Sequence, residues 1–353
     1  MPHDANLSGG ALERLATRRH GLRIASASAV GFTLALWIND PIPFLLPVFA
    51  CQLLTAGRRP LSLVQGLVTI ALVLVVAQVL VATVSVLTGH PFVLAALLWL
   101  LYSACLGLQA EGKGGAAAFI VIVIAIIVPL LGIEQVDLGK PVVAMFAWAA
   151  IGGNLLAWGV HAVWPDPAGA TPPSPVTAAL PPPRRQALIS GAILLASVVL
   201  CLLDSRLSFA LLIPMTVATL LGQADAATTR RAALGLVIVN LFGGIVASFA
   251  FVFISSWPNL PALFLVVLLV ALMFGGQIAT DPKLGKIGAG ALTTFLVLLG
   301  LSISPLPGSP SELFSTRIAY VLFAIIFTVC LTALFWPHAH GRRAGDNPDL
   351  PAM

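Results

Sequence analysis

Between Leu22 and Trp336 the chain is a succession of long apolar runs separated by short polar turns. No water-soluble fold accommodates that pattern. Only 9% of the residues are charged and 59% are hydrophobic, whereas soluble domains carry about 25% charged residues. So little charge cannot cover a surface facing water, so lipid must be the solvent over most of the chain. In lipid each backbone N–H and C=O must find a partner inside the protein, which leaves helices or a closed barrel. Runs of this length read as helices. The expected fold is an all-α integral membrane protein with about twelve transmembrane helices.

The spans fall near residues 22–39, 42–56, 61–88, 91–109, 116–133 and 141–164, then near 187–203, 207–222, 232–256, 260–279, 285–303 and 313–336. At 1.5 Å per residue the second span reaches only ~22 Å, short of a ~30 Å hydrocarbon core. It contains Pro47, and its counterpart in the other half contains Pro214. Both prolines are expected to break their helices by removing a backbone donor. An arginine pair follows each short span, Arg58-Arg59 and Arg230-Arg231. Short, interrupted apolar segments at matching places in two halves point to a transporter's binding region.

Other landmarks recur in the same order. Arg18-Arg19 corresponds to Arg184-Arg185, Gln109 to Gln277, and Trp164-Pro165 to Trp336-Pro337. The chain therefore divides into a polar tail (1–20), a first six-helix repeat (21–165), a proline-rich linker (166–186), a second six-helix repeat (187–337) and a second tail (338–353). Six spans per half is even, so the two repeats enter from the same side and are parallel. With that topology fifteen Lys and Arg residues fall on the side of the termini and three, Lys140, Arg206 and Arg317, on the other. Positive charge marks the cytoplasmic side. Both termini are thus expected in the cytoplasm, in a multi-pass protein of the inner membrane with no cleaved leader.

Polar residues within spans are few and cost free energy unless they face the bundle or water. Asn154, Trp158 and His161 share one helix face at steps of four and seven, and read either as a ligand-handling stripe or as helix-contact groups. Asn240, Gly243, Gly244 and Ala247 form a small-residue face suited to close packing. Gln52 is an uncharged candidate for lining a cavity. The paired arginines could draw an anion to the inner mouth, or act only on topology and lipid headgroups. The candidate substrate-binding set is Arg58, Arg59, Arg230, Arg231, Gln52, Asn154 and His161.

Cys51, Cys105, Cys201 and Cys330 lie in apolar runs without metal-ligand spacing and read as small hydrophobes. No phosphate-binding Gly-rich loop and no nucleophile–base set is visible, so neither an enzyme nor a cofactor is implied.

The segment Phe209-Ala-Leu-Leu-Ile-Pro214-Met-Thr-Val-Ala-Thr-Leu-Leu-Gly222, followed by Arg230-Arg231-Ala-Ala-Leu-Gly235 and Gly243-Gly244, resembles the fusaric acid resistance superfamily, the aromatic acid exporters. Phe44 to Gly66 looks like a worn copy that keeps Pro47, Arg58-Arg59 and Gly66 but lacks the later glycine pair. The chain departs from many members in having only residues 166–186 where they carry a large cytosolic domain. The resemblance implies a compact bacterial efflux component that exports small organic acids, aromatic ones included, or toxic compounds. It also implies a periplasmic membrane-fusion adaptor as partner. Besides lipid, a small organic anion and further copies of the chain are the remaining partners; nucleic acid is not one.

Two alternatives stay open. One is a non-transporting scaffold or accessory subunit. The other is a major-facilitator-type transporter, although the loop after the second span lacks that family's Gly-x-x-x-Asp-Arg/Lys-x-Gly-Arg/Lys pattern.

Overall fold

The computed structural model describes residues 9–112, 114–132, 139–167, 184–203, 211–224, 230–280, 282–304 and 314–335. Among them the chain forms twelve α-helices: α1 (Gly9–Trp37), α2 (Leu45–Thr55), α3 (Leu63–Leu87), α4 (Pro91–Ala110), α5 (Gly115–Gly132), α6 (Gly139–Val163), α7 (Arg184–Leu203), α8 (Leu212–Ala224), α9 (Arg230–Ser256), α10 (Leu260–Thr280), α11 (Pro282–Ile303) and α12 (Phe314–Phe335). Seven of them, α3 to α7, α9 and α10, are long and apolar enough to cross a membrane. This is a multi-pass membrane architecture.

Local chemistry sets the helix ends. α3 starts with a capping box: Ser62 Oγ accepts from Gln65 N at 3.2 Å, and Ser62 N donates to Gln65 Oε1 at 3.1 Å. α4 starts with Pro91 after His90, where the missing N–H costs nothing. Between α4 and α5, Gly112 sits at φ +71°, a conformation that glycine adopts without penalty. Hydroxyls inside apolar helices donate back to their own backbone, as Ser28 does to Ile24 O (2.8 Å) and Thr328 to Ala324 O (2.7 Å). That removes the cost of burying them.

The prolines of the short helices correct an expectation. Pro47 and Pro214 do not break α2 and α8. Each is the third residue of its helix, and the next residue donates to the cap carbonyl: Val48 N to Phe44 O (3.0 Å) and Met215 N to Leu211 O (3.2 Å). A first-turn N–H has no partner within its helix, so proline there loses nothing. These prolines set where the short helices begin. At the other end of the first half, α1 begins thirteen residues before the expected span and carries part of the polar tail as helix.

The bundle has a buried, largely apolar centre and an apolar rim. α5 is buried continuously from Ala118 to Leu131, and α11 from Ala291 to Leu299. The short helices α2 and α8 pack against both. Around them α3, α4, α9, α10 and α12 present large apolar side chains outward, among them Val86 (76% exposed), Phe92 (88%) and Leu269 (71%). Such a rim suits hydrocarbon and not water. Three of the cysteines, Cys51, Cys105 and Cys201, are buried as expected, whereas Cys330 is on the rim.

The most extensive helix pairings are α1 with α10, α4 with α7, α9 with α11, α2 with α6, α10 with α11, and α1 with α2; α3 packs on α5 and α8 on α12. The α1–α10 crossing brings the two backbones nearly into contact. A Cβ on Gly275 would lie 2.9 Å from Gly21 O, and one on Gly21 would lie 3.0 Å from Gly275 O. Gly243 sits equally tightly on Ala291 O of α11. The small-residue face of α9 is thus a packing face.

Candidate functional site

The polar side chains gather at two levels. One lies where residues 17–23 of α1 pass the ends of α2, α6 and α10. Here Arg23 of α1 is wholly buried. Its Nη2 reaches Asp166 Oδ1 at 2.7 Å, its Nε donates to Trp164 O at 2.7 Å, and its Nη1 donates to Arg58 O at 3.2 Å. Arg19 adds a bond from Nη1 to Pro165 O (2.7 Å). Arg58 extends the other way: its Nη2 donates to Ala279 O of α10 at 2.9 Å and lies 3.5 Å from Thr17 Oγ1. A charge so thoroughly removed from water survives only with a counter-charge and filled donors. For Arg23, Asp166 supplies the first, and the Trp164 and Arg58 carbonyls with that carboxylate give each guanidinium nitrogen one acceptor.

Two histidines stand in the same cluster. His161 Nδ1 is 2.7 Å from Ala157 O, a carbonyl that accepts when Nδ1 carries the proton. Its Nε2 faces Arg58 O at 3.3 Å. His20 is buried, and its Nδ1 has no partner among the described residues. Burial first, then the positive charges of Arg58 and Arg23, push its pKa down to about 4; Asp166 opposes them in part. His20 is therefore neutral at neutral pH. It lies on the α1 turn just before the apolar run that begins at Leu22.

The Asn154–Trp158–His161 stripe faces this cluster's supporting loop. Trp158 Nε1 donates to Leu61 O at 2.9 Å, and Gly66 of α3 is bare beneath the Trp158 ring and Asn154 Oδ1. Asn154 is buried and donates from Nδ2 to Ala150 O of its own helix at 2.8 Å, while its Oδ1 has no partner among the described residues. The three residues share a face, as their spacing suggests, and that face is turned to the 58–66 segment.

The second level lies deeper. Gln52 Nε2 of α2 donates to Thr293 Oγ1 of α11 over a long 3.4 Å. Thr294 Oγ1 donates to Asn240 Oδ1 (2.8 Å), and Asn240 Nδ2 donates to Gln223 Oε1 (3.3 Å). The Gln223 amide lies so close over Gly290 that a Cβ there would push it aside.

Of the residues singled out from sequence, Arg58 and His161 meet in the first cluster, with Asn154 beneath it. Gln52 belongs to the deeper string. Arg59 is exposed. Arg230 and Arg231 open α9, and their side chains lie outside the described residues. Three residues of the first cluster went unrecognised as site residues: His20, Arg23 and Asp166. A signal was present, since Arg23 is a charge one residue inside an apolar run. Asp166 carried none; its role depends on a contact across 143 residues.

At the opposite end, Ser304 Oγ, just past α11, donates to Pro41 O at 2.5 Å, and Asp40 accepts from Ile42 N at 2.9 Å. Burial raises the Asp40 pKa, with the Ile42 bond opposing.

Residues 20–155 match a family model described as "Protein of unknown function (DUF2955)". The match covers less than half of the chain. It spans His20, Arg23, Arg58 and Asn154, and it ends before His161 and Asp166. No curated protein and no solved structure matches the chain.

Proposed function

We propose that this protein is an exporter of small organic acids, aromatic carboxylic acids among them, in the inner membrane, built from two parallel six-helix repeats. The observation that carries the reading is the cationic cluster at one end of the bundle. Arg23 and Arg58, tied to α6 and α10, place two guanidinium groups where four helices converge. Arg59 stands exposed beside them. Fixed positive charge at the mouth of an apolar bundle concentrates anions there. Under the charge asymmetry of the loops this end faces the cytoplasm, where an exported acid must be collected.

The packing pattern supports the duplicated architecture. Exchanging α1–α6 for α7–α12 turns each of these pairings into another that is present: α1–α10 into α4–α7, α9–α11 into α3–α5, α2–α6 into α8–α12, α10–α11 into α4–α5, and α1–α2 into α7–α8. The crossing points correspond too. Gly21 meets Gly275, and at the matching place Gly107 meets Ala187, whose Cβ would lie 3.5 Å from a Cβ added to the glycine. Pro47 and Pro214 occupy the same helix position. An axis along the membrane normal that relates the halves would pass among α2, α5, α8 and α11, where parallel-repeat transporters place their pathway. A periplasmic adaptor is the partner such an exporter would use.

The test is retention of an aromatic acid in cells. Arg58→Ala and the double variant Arg230→Ala/Arg231→Ala, at normal membrane levels, should retain more benzoate than the wild type. Unchanged efflux in both would remove the arginines' assigned role.

A further inference from the structure

We propose that the recess now filled by the Asp166 carboxylate is the docking site for the carboxylate of the exported acid, with Asp166 as its displaceable internal occupant. This rests on the organic-acid reading above and names the place where the substrate's charge is received.

The recess has one strong anchor. Arg23 is fully buried, and a buried guanidinium requires an anion. Its Nη2 holds one oxygen of Asp166 at 2.7 Å, the geometry of a charge-assisted bond that any carboxylate can make. Asp166 is the less committed partner. Its side chain is 36% exposed while that of Arg23 is at 0%. It reaches the recess from water, as an entering acid would.

The frame does not depend on the Asp166 carboxylate. The neighbouring backbone is held separately, Trp164 O by Arg23 Nε and Pro165 O by Arg19 Nη1, each at 2.7 Å. Arg58 O takes the third Arg23 nitrogen, Nη1. With the carboxylate swung out, the anchor stays in place and lacks only its anion.

A second, independent feature points the same way. His20 Nδ1 is buried without a partner among the described residues, in a side chain only 5% exposed, amid Arg23, Arg58, His161 and Asp166. Buried polar atoms without partners are rare. In its Nδ1–H tautomer His20 offers the donor that a ligand's second carboxylate oxygen needs. Trp164, whose carbonyl frames the recess, is 37% exposed and offers an apolar surface for an aromatic body.

The experiment uses the full chain purified in detergent, with benzoate as probe and benzyl alcohol as its uncharged counterpart. Thermal unfolding is followed for the wild type, Asp166→Asn and Asp166→Asn/Arg23→Gln. Asp166→Asn should melt below the wild type. Benzoate should raise its midpoint in a saturating manner and to a larger extent than in the wild type, and benzyl alcohol should not. The response should vanish in the double variant. A flat response in Asp166→Asn, or one that persists in the double variant, overturns the proposal. If Asp166→Asn is recovered only when benzoate is present, the proposal is supported; if it aggregates with and without benzoate, it is overturned. Benzoate flux through the wild type, measured separately, tests the exporter reading. A wild type that carries benzoate beside an unresponsive Asp166→Asn refutes the site alone. A responsive Asp166→Asn beside a wild type without flux refutes transport alone.

Discussion

Acid should loosen this protein through His20, by an amount that follows from its surroundings. An unperturbed histidine titrates near 6.5, and in the fold His20 is pushed down to about 4. The depressed value means that the unfolded chain binds a proton the folded chain refuses. Stability from this group is therefore complete above pH 6.5 and is lost as pH falls from 6.5 toward 4. At about 1.36 kcal/mol per pH unit, the loss between roughly pH 7.5 and pH 5 is about 2 kcal/mol, approaching ~3 kcal/mol at still lower pH. The perturbation is His20→Leu, which keeps an apolar side chain in the buried slot and cannot titrate. Denaturant unfolding in detergent at about pH 7.5, 6 and 5 gives the difference between variant and wild type at each pH. The wild type should lose about 2 kcal/mol relative to the variant across that range. Parallel pH curves for the two proteins would refute the neutral, buried state of His20.

Packing and topology supply three further predictions. Gly275→Ala forces a Cβ to 2.9 Å from Gly21 O and should destabilise by roughly 1–3 kcal/mol. Gly276→Ala, with nothing within 4 Å, should stay near wild type in the same unfolding assay, and equal effects would contradict the close α1–α10 crossing. Gly290→Ala should dislodge Gln223 and cost about 1 kcal/mol, the scale of an interhelical hydrogen bond in a membrane. Adding Gln223→Ala should remove most of that cost, and additive effects would show that the amide does not lie on the glycine. Finally, Arg59→Cys and Arg231→Cys, each in a background without native cysteines, should react with an impermeant thiol reagent from the same face of sealed membrane vesicles. Labelling from opposite faces would exclude parallel repeats.

Much of the fold could be read from the residues because lipid leaves the backbone so little choice. Apolar runs had to be helices, and the polar turns between them mark the loops. What resisted reading was anything decided by a distant partner. Pro47 and Pro214 look like interruptions when a helix is assumed to begin at the preceding turn; the structure starts each helix only two residues ahead of its proline. Asn154, Trp158 and His161 could be placed on one face by spacing, yet the identity of the opposing 58–66 segment could not. Arg23 looked like one more topology charge among several. Its burial comes from α6 delivering Trp164 and Asp166 to the side of α1, a contact that no local pattern encodes. Gln52 and Thr293 likewise meet only because α2 from one half packs on α11 from the other.

The decisive question is whether an organic acid crosses the membrane through this chain after being gathered at its cationic end. Purified protein in liposomes preloaded with labelled benzoate measures this directly, with the proton gradient set and an adaptor present or absent. Release faster than from protein-free liposomes, and slowed several-fold by Arg23→Gln at equal reconstitution, is the predicted result. Release no faster than the lipid leak under each of these conditions would contradict it.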